Sequence, residues 1–132
     1  MDGWSAYYNE GASYYNTTIG GLKKSRPFGN TVYYNLIGLV LEAFLTAATV
    51  KEDFLPEHSS ISGMIRELRK KYEVPEHFTG ESRFFNRFMN MCSLEVTPEI
   101  IPTDEELQRL VVFLKEVRMW TESLLGVPCA TT

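Results

Sequence analysis

Arginine carries the clearest chemistry in this chain. Arg83 and Arg87 stand four residues apart in a segment that also holds Phe84, Phe85 and Phe88. On a helix that spacing is one turn. A guanidinium so close to an apolar stripe is paired with a carboxylate, snorkels to water, or holds an anion. Two guanidiniums on one face repel each other unless an anion or a carboxylate lies between them. Asn86 and Asn90 share the segment and offer amides to a phosphate or a base. The expectation is an anion-binding group of Arg83, Arg87, Asn86 and Asn90. The competing reading is a snorkelled arginine with a glutamate partner on a neighbouring helix. Lys23, Lys24 and Arg26 form a smaller basic cluster that reads as a solvated turn.

Other reactive side chains are sparse. The histidines are His58 and His77, each preceded by glutamate and each beside a proline-containing turn. A di-iron bundle needs Glu-x-x-His so that both ligands project the same way, and Glu57-His58 and Glu76-His77 are adjacent and diverge. Two cysteines far apart, Cys92 and Cys129, add no zinc site. No metal and no cofactor is expected, and no phosphate loop or nucleophile elbow occurs. Three Tyr-Tyr-Asn triplets begin at Tyr7, Tyr14 and Tyr33. Neighbours on a helix lie about 100° apart, so each pair can place one ring inside and one on the surface. Such a surface stripe can stack on a base or a partner, although aromatic residues at helical spacing usually fill a core.

The composition narrows the classes that remain. Of 132 residues, 44% are hydrophobic and 23% charged, which excludes disorder as the main state. The net charge of −4 argues against a generic basic nucleic-acid binder but leaves room for a local basic cleft. The apolar stretch from Leu36 to Val50 is interrupted by Glu42 and two threonines and reads as too short to span a membrane. Met1-Asp2-Gly3-Trp4 has neither the basic region nor the apolar core of a signal peptide. With few cysteines, the expected location is cytoplasmic, with no membrane partner.

Helical periodicity positions these groups. A first helix over about Gly3–Lys24 carries Trp4, Tyr8, Ala12, Tyr15, Ile19 and Leu22 on one face, and its glycines predict fraying near Gly20. A second, about Thr31–Lys51, is apolar nearly all round and should be central, with Asn30 or Thr31 as N-cap. A third runs from a cap at Ser59 or Ser60 to about Tyr72, with Arg66, Glu67, Arg69, Lys70 and Lys71 as its wet face. A fourth, about Glu81–Leu94, turns Phe84, Phe85, Phe88, Met91 and Cys92 inward. Thr103 and Glu106 make a capping box for the last helix. The expected fold is all-α, an up-and-down bundle of four main helices plus one shorter helix. Residues 1–126 would form one domain and 127–132 a flexible tail. Tyr7, Tyr14, Phe113 and Trp120 lie outside the main stripes and suggest a homodimer interface.

The order of these features resembles the HEPN family (higher eukaryotes and prokaryotes nucleotide-binding domains) over about Gly3 to Leu125. The features are a Tyr-rich first helix, a central helix ending Leu41-Glu42-Ala43-Phe44-Leu45-Thr46-Ala47, and a Pro-containing connection into Glu57-His58-Ser59-Ser60-Ile61. An arginine-bearing fourth helix and a capped last helix complete the order. The resemblance implies a homodimeric helical bundle in prokaryotic defence, toxin–antitoxin or RNA-processing settings. It also implies a nucleotide, RNA or antitoxin-like protein as partner, with His58 and Glu42 as contributors to the site; Tyr34, from the third Tyr-Tyr-Asn triplet, is a further candidate. Active members of that family look like metal-independent endoribonucleases whose motif is an arginine followed, after four to six residues, by a histidine. Here Arg87 leads into Phe88-Met89-Asn90-Met91-Cys92-Ser93-Leu94, and no histidine follows His77. The expectation is therefore a non-catalytic binding domain. The alternatives are a divergent endoribonuclease that brings His58 or His77 from another helix, and a plain helical scaffold.

Overall fold

The computed structural model describes residues 3–24, 28–51, 60–88 and 101–127. These form an all-α helical bundle, and no strand occurs among them. The elements are α1 (Trp4–Lys23), α2 (Asn30–Lys51), α3 (Ile61–Arg69), α4 (His77–Asn86) and α5 (Asp104–Leu125).

The apolar helix is central, as its composition predicts. α2 packs on α1, α3 and α5, while α4 packs on α3 and α5. Tyr33, Ile37, Val40, Leu41, Phe44, Leu45 and Ala48 of α2 are all buried. At 22 residues α2 is long and apolar enough, by length and composition alone, to cross a membrane, so the shorter count from Leu36 is an underestimate. More than half of that window is buried inside the bundle.

Local signals set most helix ends. Thr103 Oγ1 accepts from the Glu106 amide at 3.2 Å while the Glu106 carboxylate accepts from the Thr103 amide at 3.0 Å, completing the capping box. Ser60 caps α3 by accepting from the Gly63 amide. Gly126, in the left-handed region at φ 73°, closes α5.

Several boundaries differ from the sequence expectation. α2 begins at Asn30 itself, and the Gly29 carbonyl accepts from the amides of Val32 and Tyr33. The Asn30 side chain donates to Pro102 O at 2.8 Å and to Asp104 Oδ1 at 3.0 Å, tying α2 to the start of α5. α3 ends at Arg69 and α4 begins four residues earlier than the periodicity suggested, at His77. Met91, Cys92 and the expected tail from Pro128 onward lie outside the described residues. α1, by contrast, runs over Trp4–Lys23, close to the expected Gly3–Lys24, and is helical through Gly20. Two of its glycines are close-approach positions: a Cβ on Gly11 would lie 3.0 Å from the Phe44 ring, and one on Gly21 would lie 2.8 Å from the Tyr33 hydroxyl.

The aromatic pairs divide unequally. Tyr7 and Tyr14 are exposed beside half-buried Tyr8 and buried Tyr15, but Tyr33 and Tyr34 are both buried. Of the side chains expected at an interface, Phe113 is instead core, packed edge-on against Phe78 at 5.5 Å. Trp120 is half-buried and donates its indole N–H to Glu73 O at 3.1 Å.

Candidate anion-binding cleft

Two short helices with matching polar stripes build the site. On α3, Ser62, Arg66 and Arg69 recur at steps of four and three; on α4, Thr79, Ser82, Arg83 and Asn86 do the same. That spacing puts each set on one face of its helix. A cleft of about 280 Å³ lies between them, lined by Ser62, Arg66, Arg69, Thr79, Ser82 and Arg83.

Hydrogen bonds fix its floor. The Asn86 amide donates to Ser62 Oγ at 2.8 Å, Ser62 donates to Ser82 Oγ at 3.1 Å, and Ser82 donates to the Thr79 carbonyl at 2.8 Å. Asn86 Oδ1 is buried without a hydrogen-bond partner among the described residues. Arg69 forms one end wall: its guanidinium donates to Val74 O at 3.2 Å, Pro75 O at 3.3 Å and Thr79 Oγ1 at 2.8 Å. Arginine has five N–H groups, so two of Arg69's stay uncommitted.

The local charge balance is lopsided. The glutamates nearest in sequence are turned to other cations: Glu67 pairs with Lys70 at 3.5 Å, and Glu81 holds Arg109 at 2.9 Å. Among the described residues no carboxylate pairs with Arg66, Arg69 or Arg83. Three guanidiniums therefore share one small cleft with three hydroxyls. Such donors suit the oxygens of a phosphate, sulfate or carboxylate.

The residues singled out from sequence fall into separate places. Arg83 lines the cleft and Asn86 anchors its floor. Arg87 is not part of the lining: it caps α4, is exposed, and its guanidinium lies 5.6 Å from the Phe84 ring centroid. Its other expected role, half of a buried pair, is absent among the described residues. Tyr34 offers no group to a ligand there; it is buried, stacked on Phe85 at 4.6 Å, and its hydroxyl donates to Phe85 O at 2.8 Å. It acts by seating α4. Glu42 is exposed on α2 and lines no part of the cleft. Asn90 and His58 lie outside the described residues. His77, on another face of α4 from Arg83, contacts Glu116 of α5 at 2.7 Å.

Arg66 and Arg69 escape a reading of the sequence as site residues because a single helix shows only that they are wet. The signal is present in the shared three-and-four spacing of hydroxyl and arginine on the two neighbouring helices. A buried ion pair escapes it as well. Arg118 Nε donates to Glu122 Oε2 at 3.2 Å, Tyr8 OH donates to the same oxygen at 2.6 Å, and the Glu122 side chain is only 1% exposed. The Arg118 guanidinium also lies 4.4 Å from the Tyr15 ring. This cluster is a clamp between α1 and α5: Glu122 takes the charge of Arg118, whose guanidinium packs against the Tyr15 and Phe44 rings. Among the described residues, no group of histidine, cysteine and carboxylate side chains could hold a metal ion.

Comparison with known proteins adds no identity: no protein-family model, no curated protein and no solved structure matches this chain.

Proposed function

We propose that this chain is a non-catalytic ligand-binding bundle whose α3–α4 cleft takes the phosphate group of a phosphorylated ligand. One observation carries the reading: Arg66, Arg69 and Arg83 converge on one cleft while the neighbouring glutamates are engaged elsewhere. Like charges gathered this closely destabilise each other, and a bound dianion converts that repulsion into charge-assisted hydrogen bonds. The half-buried Ser62 hydroxyl, whose proton goes to Ser82 Oγ, adds a donor to the cleft by rotating about its C–O bond. The binding role is the one the HEPN resemblance implies; the support comes from the cleft and does not depend on that family.

Pyrophosphate titrated calorimetrically into the protein tests the reading. Binding is expected in the wild type, lost in Arg66→Ala/Arg83→Ala, and retained in Arg87→Ala, whose guanidinium lies outside the cleft. Equal binding by the double variant and the wild type would refute it. Affinity should also fall as salt rises, since the arginines are solvent-exposed and screened.

A further inference from the structure

Arg69 separates two cavities. Beyond its guanidinium lies a more open groove of about 520 Å³, lined by Arg69, Tyr72, Glu73, Val74, Pro75, Glu76 and Trp120. The two spaces differ in chemistry. The first is arginines and hydroxyls; the second is aromatic and aliphatic surface with two exposed carboxylates, Glu73 and Glu76.

We infer that cleft and groove form one bipartite site for a nucleoside monophosphate, with the phosphate among Arg66, Arg69 and Arg83 and the base in the Trp120 groove. This rests on the proposed phosphate-binding role of the cleft and extends it to the rest of the ligand. The cleft alone is at the small end of ligand pockets, which typically run from about 300 to 1,000 Å³, so a whole nucleotide leaves no room to spare in it. The adjoining groove supplies the missing room.

Tyr72 and Trp120 line the groove and are half-buried, so each keeps part of its surface open to solvent. Trp120 is held by its N–H bond to Glu73 O and by edge contacts to Tyr72 and Phe78, each at 6.3 Å between centroids. A tryptophan fixed in this way loses little freedom when a base stacks on it. The carboxylates set the direction of binding. Glu73 and Glu76 accept hydrogen bonds from the exocyclic amino group of adenine, guanine or cytosine and repel any phosphate placed in the groove. The phosphate therefore lies toward Arg83 and the base toward Trp120. Arg69 touches both halves, because its bonds to Val74 O and Pro75 O tie it to the groove wall and its bond to Thr79 ties it to the cleft.

Fluorescence of a Trp4→Phe variant, which leaves Trp120 as the sole tryptophan, reads the groove directly. Adenosine monophosphate should quench Trp120 and bind about tenfold more tightly than inorganic phosphate, the gain expected from one stacked base. Adenosine without phosphate should bind far more weakly than its monophosphate. Trp120→Ala should reduce the monophosphate to the affinity of inorganic phosphate and leave phosphate binding unchanged. The indole N–H resonance of Trp120 in the otherwise wild-type protein gives the same answer should that variant not fold. Inorganic phosphate and the monophosphate binding with equal affinity, and no change at Trp120, would overturn the bipartite site while leaving the phosphate cleft intact. Phosphocholine binding as tightly as the monophosphate would also overturn it, since the groove would then be reading a cation on an aromatic face. Failure of both phosphate and monophosphate to bind would remove the underlying reading.

Discussion

The Glu122 carboxylate is the most constrained charge among the described residues. Almost wholly removed from water, it accepts from both Arg118 and Tyr8, and neither partner is optional. Arg118→Ala would leave the carboxylate buried and unpaired, a loss of roughly 3–5 kcal/mol in a denaturant titration. Arg118→Met with Glu122→Leu should recover most of that, because an apolar pair needs no solvation. Tyr8→Phe removes one charge-assisted bond and should cost about 2 kcal/mol. The same residue sets a pH dependence. Burial, with the hydrogen bond to Glu122 adding to it, pushes the Tyr8 hydroxyl above the ordinary tyrosine value, and burial does the same for Tyr15. The native state thus holds these protons more tightly than the unfolded chain. Their contribution is complete below about pH 10 and is lost as pH rises through the raised native values. Urea midpoints across that range should fall less steeply for Tyr8→Phe than for the wild type.

At the scale of helices, what was legible in the sequence was what is local. The Thr103–Glu106 box and the all-round apolar α2 arise from residues within a turn or two of each other. Thr103→Ala should therefore lower stability by about 1 kcal/mol, read as a drop in thermal midpoint. Gly11 and Gly21 of α1 mislead a reading by propensity because their role belongs to another helix. Gly20 has open space around it, and Gly20→Ala should stabilise α1 by up to about 1 kcal/mol. Gly11 faces the buried Phe44 ring, and Gly11→Ala should destabilise despite its better helix propensity, since overpacking costs about 1–3 kcal/mol. Opposite signs from two chemically identical substitutions separate close approach from mere flexibility. Asn30 teaches the same lesson: its side chain suits a cap, and its position beside Pro102 and Asp104 gives it another use.

Across the whole molecule, an overall net charge of −4 coexists with a cleft lined by three arginines. Composition excludes a uniformly basic surface and says nothing of where thirteen cationic side chains gather. Arg83 was identifiable because it sits among phenylalanines; Arg66 and Arg69 were not, because the wet face of α3 acquires meaning only beside the polar stripe of α4. Arg87 drew attention for the same reason as Arg83, yet it lies beyond the lining, over Phe84. The cleft's claim to function is that these particular guanidiniums, and no others, meet an anion. Nitrogen-15 spectra of the arginine side chains during a phosphate titration test that most directly. The Nε–H resonances of Arg66, Arg69 and Arg83 should shift together along one saturating curve, while those of Arg109 and Arg118, already held by Glu81 and Glu122, stay in place. Uniform small shifts across all arginines, or none at the α3–α4 cleft, would contradict the account.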